Sequence, residues 1–301
     1  MFNHILVPID GSLMAEAALP AAAFWAEKFK ARVTLMHVIE KNAPDAVHGQ
    51  AHLKHPQDAE RYLKELAKRA FPKRTQIECH VHTNETDDVA GCIVEHADEL
   101  SHDLVIMCSH GRGAALHLFM GSIAQSVIAR GSQPVLITHP DQEGKPPAFF
   151  CRHILVPMDN DPEHAEALPI SKELARRAGA TLHLAAVVEQ LASLSGDKAV
   201  ARRLLPGTTS RLLELARQEA EHYFEELEKG LLAEGFQASA HVFRGDPASV
   251  IVEAAAVASI DLIVLGTHGR TGMAAFWSGS VTNRIVSLSR IPLLLVPVGK
   301  S

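Results

Sequence analysis

The segment HILVPID at residues 4–10 returns almost unchanged as HILVPMD at 153–159. A second block keeps the same displacement of 149: ARVTLMHVIE (31–40) pairs with ATLHLAAVVE (180–189). A third, DLVIMCSHG (103–111), returns as DLIVLGTHG (261–269), displaced by 158. Three separated blocks in one order mark an internal duplication, which constrains the fold more than any single motif could. The change in displacement puts a net insertion of nine residues into the second copy, and we assign it to the polar stretch at 191–210. Between the copies, DQEGKPPAFF (141–150) is rich in proline and charge and reads as a linker. The expected organisation is one domain over 1–140, a linker over 141–150 and a second domain over 151–301.

Each copy alternates short β-branched apolar runs with longer amphipathic stretches. In the first copy the pattern predicts strands near 4–9, 33–39, 76–82, 103–107 and 134–138. The intervening helices fall near 12–29, 58–70, 87–99 and 121–130. Such alternation implies right-handed βαβ crossovers and a parallel sheet. Runs such as LVIM and LIVL are apolar at every position, as strands covered on both faces must be. The fold class is therefore α/β, with two tandem Rossmann-like domains, each a five-stranded parallel sheet sandwiched by helices. Sheets of this kind bind ligands beyond the carboxyl ends of their strands.

Composition narrows the partners. Acidic residues outnumber basic ones, 35 to 29, for a formal net charge of −6. A duplex nucleic-acid binder needs the opposite balance, so nucleic acid is not expected as a partner. The opening MFNHILVPID lacks the layout of a signal peptide, and the apolar stretch 17–26 is short and interrupted by Pro20. No membrane partner is expected. Four scattered cysteines without a CxxC pair fit a reducing compartment, and the expected location is cytoplasmic.

Directly after the fourth strand of each copy lies a glycine-rich phrase, CSHGRGAALHLFMGS (108–122) and GTHGRTGMAAFWSGS (266–280). The later copy reads Gly266-x2-Gly269-x9-Gly279-Ser280. Glycines there let backbone approach a ligand without a Cβ in the way. The closing Gly-Ser opens a helix whose first N–H groups lack intrahelical partners, and those donors make an anion site. The spacing is neither a Walker A loop nor a GxGxxG fingerprint. Taken alone, it also fits two turns and a helix cap. Asp10 and Asp159, each following a first strand, could likewise accept hydrogen bonds from ribose hydroxyls or cap the next helix.

Together, the HILVP[IM]D strand, the second strand ending in V-[IV]-E and the G-x2-G-x9-G-S phrase resemble the universal stress protein family over nearly the whole chain. The resemblance implies the adenine nucleotide alpha hydrolase-like fold. In the family's nucleotide-binding branch this motif serves the phosphates and ribose of ATP, and the end of the second strand holds adenine. Carried onto the second copy, the site comprises Asp159, Val187, Gly266, Gly269, Gly279, Ser280 and Thr282. Carried onto the first, it comprises Asp10, Val38, Gly111, Gly121 and Ser122. The implied ligand is an adenine nucleotide, either ATP, with Mg2+ accompanying it, or AMP or ADP. The implied role is nucleotide-sensing stress regulation. A slow ATPase, a nucleotidyl-transfer enzyme and a scaffold that binds no nucleotide are the alternatives. The resemblance also implies pairing of the two domains within the chain and a homodimer.

The first copy departs from the motif. Cys108 stands in place of Gly266, and Ala124 in place of Thr282, so the second site is expected to bind more firmly. No spacing identifies a catalytic base, acid or nucleophile, and no catalytic residue is assigned. No metal site is assigned either. VHGQAHLKHP carries His48, His52 and His55, but Gly49 and Pro56 oppose a helix there and no further ligand completes a set, so a solvated loop is expected. His80 and His82 read as one face of a strand.

Overall fold

Residues 1–47, 50–109, 120–159, 167–188, 206–267 and 281–297 are described in a computed structural model of the chain. HILVP forms β1 (His4–Pro8), and its Ile5, Leu6 and Val7 are wholly buried. Burial at successive positions means that both faces of the strand are covered. After β1 the chain makes a turn that leads into α1 (Leu19–Phe29) and β2 (Arg32–Glu40). A two-strand hairpin comes next, β3 (Ala46–Val47) and β4 (Gln50–Ala51), then α2 (Pro56–Ala70) and β5 (Ile77–Thr86). The half closes with α3 (Val89–Glu99), β6 (Leu104–Cys108), α4 (Ser122–Arg130) and β7 (Val135–Thr138).

The second half repeats the order: β8 (His153–Pro157), α5 (Ala167–Ala178), β9 (Thr181–Val188), α6 (Pro206–Ala233), β10 (Ala238–Arg244), α7 (Pro247–Val257), β11 (Leu262–Thr267), α8 (Val281–Leu288) and β12 (Leu293–Pro297). The nine-residue insertion assigned to 191–210 lies largely outside the described residues. None of the described helices is long and apolar enough to cross a membrane.

The chain divides into two compact units. In the first, the strands run in the order β12-β7-β6-β1-β2-β5. Five of them are parallel, and β12 alone lies antiparallel on β7, with Leu294 opposite Leu136. The last strand in the sequence thus completes the unit built from the first 150 residues. This pairing covers the apolar edge of β7, whose Val135, Leu136 and Ile137 are buried. In the second unit the parallel order is β10-β9-β8-β11.

One repeated device ties each fourth strand to the first. The Asp103 carboxylate accepts the N–H groups of Asn3 and His4 at 2.7 and 3.0 Å. Asp261 does the same for Arg152 and His153 at 2.8 and 3.1 Å. These are the aspartates that open the DLVIM and DLIVL blocks, so the duplication preserves a joint as well as a hydrophobic pattern. In each unit the connections leave the first strand one way, to β2 and β5 or to β9 and β10, and return on its other side, at β6 or β11. That reversal opens a crevice at the carboxyl ends of the first and fourth strands.

Candidate functional site

In the first unit the crevice is a cleft lined by Ile9 and Asp10 after β1, Met36 and Val38 of β2, Ile93 of α3, Met107 and Cys108 of β6, and Gly121 and Ile123 at α4. Its floor is apolar: Met36, Ile93 and Met107 are buried. Asp10 is among its polar lining residues. The Asp10 carboxylate accepts the Ser12 N–H at 2.8 Å, and Ser12 Oγ in turn accepts the Ala15 N–H at 3.1 Å. Asp10 therefore closes a turn through one oxygen, while Ser12 Oγ holds the first N–H of the 3-10 segment that follows. The sequence leaves Asp10 open between ligand and cap. Asp10 also lines the cleft.

The helix expected from residue 12 begins later for the same reason. Side-chain bonds from Asp10 and Ser12 hold a turn, a 3-10 segment occupies Ala15–Ala18, and regular α1 starts at Leu19 with Pro20 in its first turn.

At α4, which also borders the cleft, no side chain caps the helix start. Its first intrahelical bond runs from the Gln125 N–H to the Gly121 carbonyl at 3.0 Å. The N–H groups of Ser122, Ile123 and Ala124 precede that bond, so the helix offers donors where a phosphate would be favoured. The Gly121 N–H donates to the Ser109 carbonyl at 2.7 Å, which fixes the start of the helix against the end of β6.

A strap from residues 50–53 borders the cleft. The Leu13 N–H donates to Gln50 Oε1 at 2.7 Å. Buried His37 lies with Nδ1 2.7 Å from the Ile9 carbonyl and Nε2 3.0 Å from the Leu53 carbonyl. Gly11 has φ +92°, and a Cβ there would meet the Leu53 side chain at 2.9 Å, so this turn takes glycine on two counts. The solvated loop expected here is, over its described residues, a tethered strap. His52 lines the cleft, His55 is exposed, and His48 lies outside the described residues.

Of the first-copy residues, Asp10, Val38 and Gly121 share the cleft; Ser122 is exposed at the start of α4, and Gly111 lies outside the described residues. In the second unit Asp159 follows β8, Val187 lies in β9 and Gly266 in β11, all at the carboxyl side of adjacent parallel strands. Thr282 sits in the first turn of α8. Gly269, Gly279 and Ser280 lie outside the described residues.

A second constellation is one the sequence does not announce. His82 of β5 and Cys92 and His96 of α3 bring their ligand-type atoms within 4.8 Å of one another. The residues come from two elements, so no linear spacing displays them; only the i, i+4 step from Cys92 to His96 is visible there.

Comparison with known proteins places this architecture. The family model described as the universal stress protein family matches residues 1–139 and again 151–297. Universal stress protein Rv2005c of Mycobacterium tuberculosis is 26% identical over 307 residues, covering 97% of this chain and 96% of its own. The crystal structure of a universal stress protein from Archaeoglobus fulgidus superposes with a TM-score of 0.61 at 19% identity, covering 98% of this chain and 96% of that one. The functionally unknown protein PA1789 of Pseudomonas aeruginosa gives 0.67 at 17% identity, covering 98% and 92%. Those two likenesses speak to the fold alone: tandem, Rossmann-like and mostly parallel. With both halves matched by one family description, the chain belongs to the universal stress protein family.

Proposed function

We propose that the chain binds adenine nucleotides and acts as a nucleotide-sensing regulator in the stress response. The observation that carries this reading is the meeting of Asp10, Val38 and Gly121 in one cleft at the reversal point of the sheet. An apolar slot between Met36, Val38 and Ile93 suits a purine ring. The Asp10 carboxylate suits ribose hydroxyls, and the uncapped start of α4 suits phosphate oxygens. Mg2+ would accompany ATP through the phosphates.

Two sites are expected, of unequal strength. Asp159, Val187, Gly266, Gly269, Gly279, Ser280 and Thr282 form the stronger one. In the first, the buried side chain of Cys108 lines the cleft at the position Gly266 holds in the second copy. The chain acts in the cytoplasm, as a homodimer.

Titration with ATP, ADP and AMP tests the reading on wild type beside Gly121→Val and Gly279→Val. Each variant is expected to lose one class of site, with the larger loss of affinity in Gly279→Val. Absence of saturable binding at millimolar nucleotide sinks the proposal, and a larger loss in Gly121→Val reverses the ranking. A timed phosphate-release assay separates sensing from turnover: steady release that Gly279→Val abolishes would favour an ATPase.

A further inference from the structure

We propose that His82, Cys92 and His96, with His80 as the fourth donor, form a binding site for one divalent transition ion of the zinc class. None of the four lines the nucleotide cleft, although His82 stands opposite Val38 and Cys92 precedes Ile93, which do. His80 and His82, two residues apart on β5, lie on one face of the strand. Cys92 and His96, four apart on α3, lie on one face of the helix. Packing these faces together leaves the His96 ring 4.8 Å from that of His80 and 5.1 Å from that of His82.

The ligand atoms of His82, Cys92 and His96 fall within 4.8 Å of one another. Tetrahedral zinc, with bonds of about 2.0–2.3 Å, sets its ligand atoms roughly 3.3–3.7 Å apart. Side-chain torsions alone span that difference.

Two details favour an ion over mere packing. His96 Nδ1 lies 2.9 Å from the Cys92 carbonyl, which can only accept, so Nδ1 carries the proton and Nε2 presents a lone pair. A ligating histidine is held in its tautomer by just such a bond to backbone. Second, His80 Nε2 is buried and has no hydrogen-bond partner among the described residues. An orphaned buried nitrogen is costly, and coordination would satisfy it.

Without an ion Cys92 is a thiol. On binding, the S–H bond breaks, the thiolate–metal bond forms and one proton leaves to solvent. Three imidazoles and a thiolate select the zinc class over magnesium or calcium, which prefer oxygen.

Cobalt(II) added to the metal-free full-length chain is the probe. We expect one equivalent to bind, with the visible bands of a tetrahedral ion and a near-ultraviolet thiolate-to-cobalt band, both removed by one equivalent of Zn2+. Cys92→Ser should lose the thiolate band, the double variant His82→Gln/His96→Gln should lose one-equivalent binding, and exposed His55→Gln should change neither. X-ray absorption of the zinc-loaded wild type needs no variant and should give one sulfur and three nitrogens. No saturable cobalt spectrum, a spectrum indifferent to both site variants, or a zinc shell without sulfur would overturn the assignment.

Discussion

The guanidinium of Arg130 holds both carboxylate oxygens of Asp88, at 2.7 and 2.8 Å. Asp88 is also the cap of α3, accepting the Gly91 N–H at 2.9 Å. The second unit has the same clamp with different parts: Asp246 caps α7, and Arg284 takes both of its oxygens at 2.5 and 2.8 Å. At the displacement of 158, however, Arg284 corresponds to Ser126 and not to Arg130, one helical turn earlier. The reason lies at position 91. A Cβ there would sit 2.3 Å from Asp88 Oδ2 and 2.5 Å from Arg130 Nη2, so it would press on the clamped pair. In the second copy Ser249 occupies that place, and its hydroxyl donates to Asp246 at 2.7 Å.

Gly91→Ala should therefore evict Arg130 and destabilise the chain by about 1–2 kcal/mol. In an Arg130→Ala background the Asp88 carboxylate is no longer clamped and can turn from the new methyl, so the same change should cost less, helped by alanine's better helix propensity. Urea unfolding of the four members of this cycle measures the coupling. Equal costs in both backgrounds would refute the explanation.

Removing residues 290–301 takes away β12 and bares the edge of β7, whose Val135, Leu136 and Ile137 are buried in the intact chain. Unpaired apolar edges recruit other chains. The shortened chain should self-associate on size-exclusion chromatography, and a single sharp peak at the wild-type oligomeric state would contradict this. The milder Leu294→Ala should cost roughly 2–5 kcal/mol while leaving the edge paired.

His153 Nδ1 and His183 Nε2 lie 3.1 Å apart, and His183 Nδ1 reaches Ser239 Oγ at 2.9 Å. One proton serves the two facing nitrogens. Burial, then His153 and His241, hold His183 below the usual histidine range. The unfolded chain, near 6.5, takes up a proton first, so this contribution is present above about pH 6.5 and is lost as the pH falls below it. Urea midpoints should drop more between pH 7.5 and 5.5 for wild type than for His183→Gln. Parallel drops would remove His183 from the account.

If the buried side chain of Cys108 is what weakens the first nucleotide site, Cys108→Gly in a Gly279→Val background should bind ATP more tightly, by several-fold. Isothermal titration calorimetry of the pair is the check, and unchanged or weaker affinity would place the weakness elsewhere.

The duplication and the parallel order were legible because strands buried on both faces, such as Leu104–Met107 and Leu262–Leu265, must be apolar throughout. Asp10 was legible as a polar group directly after the first strand, whereas Val38 was reached only through the family resemblance. Less could be read where two elements meet. Nothing in the linear spacing pairs His82 with Cys92, or tells Arg130 from Arg284 as the partner of a capping aspartate. Glu16, an acidic residue inside an otherwise apolar stretch, is 6% exposed, and only the fold supplies the Tyr62 hydroxyl at 2.9 Å and Arg69 at 2.7 Å that make its burial tolerable.

The pairing of β12 with β7 also sets a timetable. From Thr138, where β7 ends, 155 residues must be added before Leu293 of β12 is made. At synthesis rates of about 5–20 residues per second, that is a wait of roughly 8–30 s. For that interval a nascent chain carries a nearly finished parallel sheet with one apolar margin open. The first half of the sequence is thus translated first and completed last.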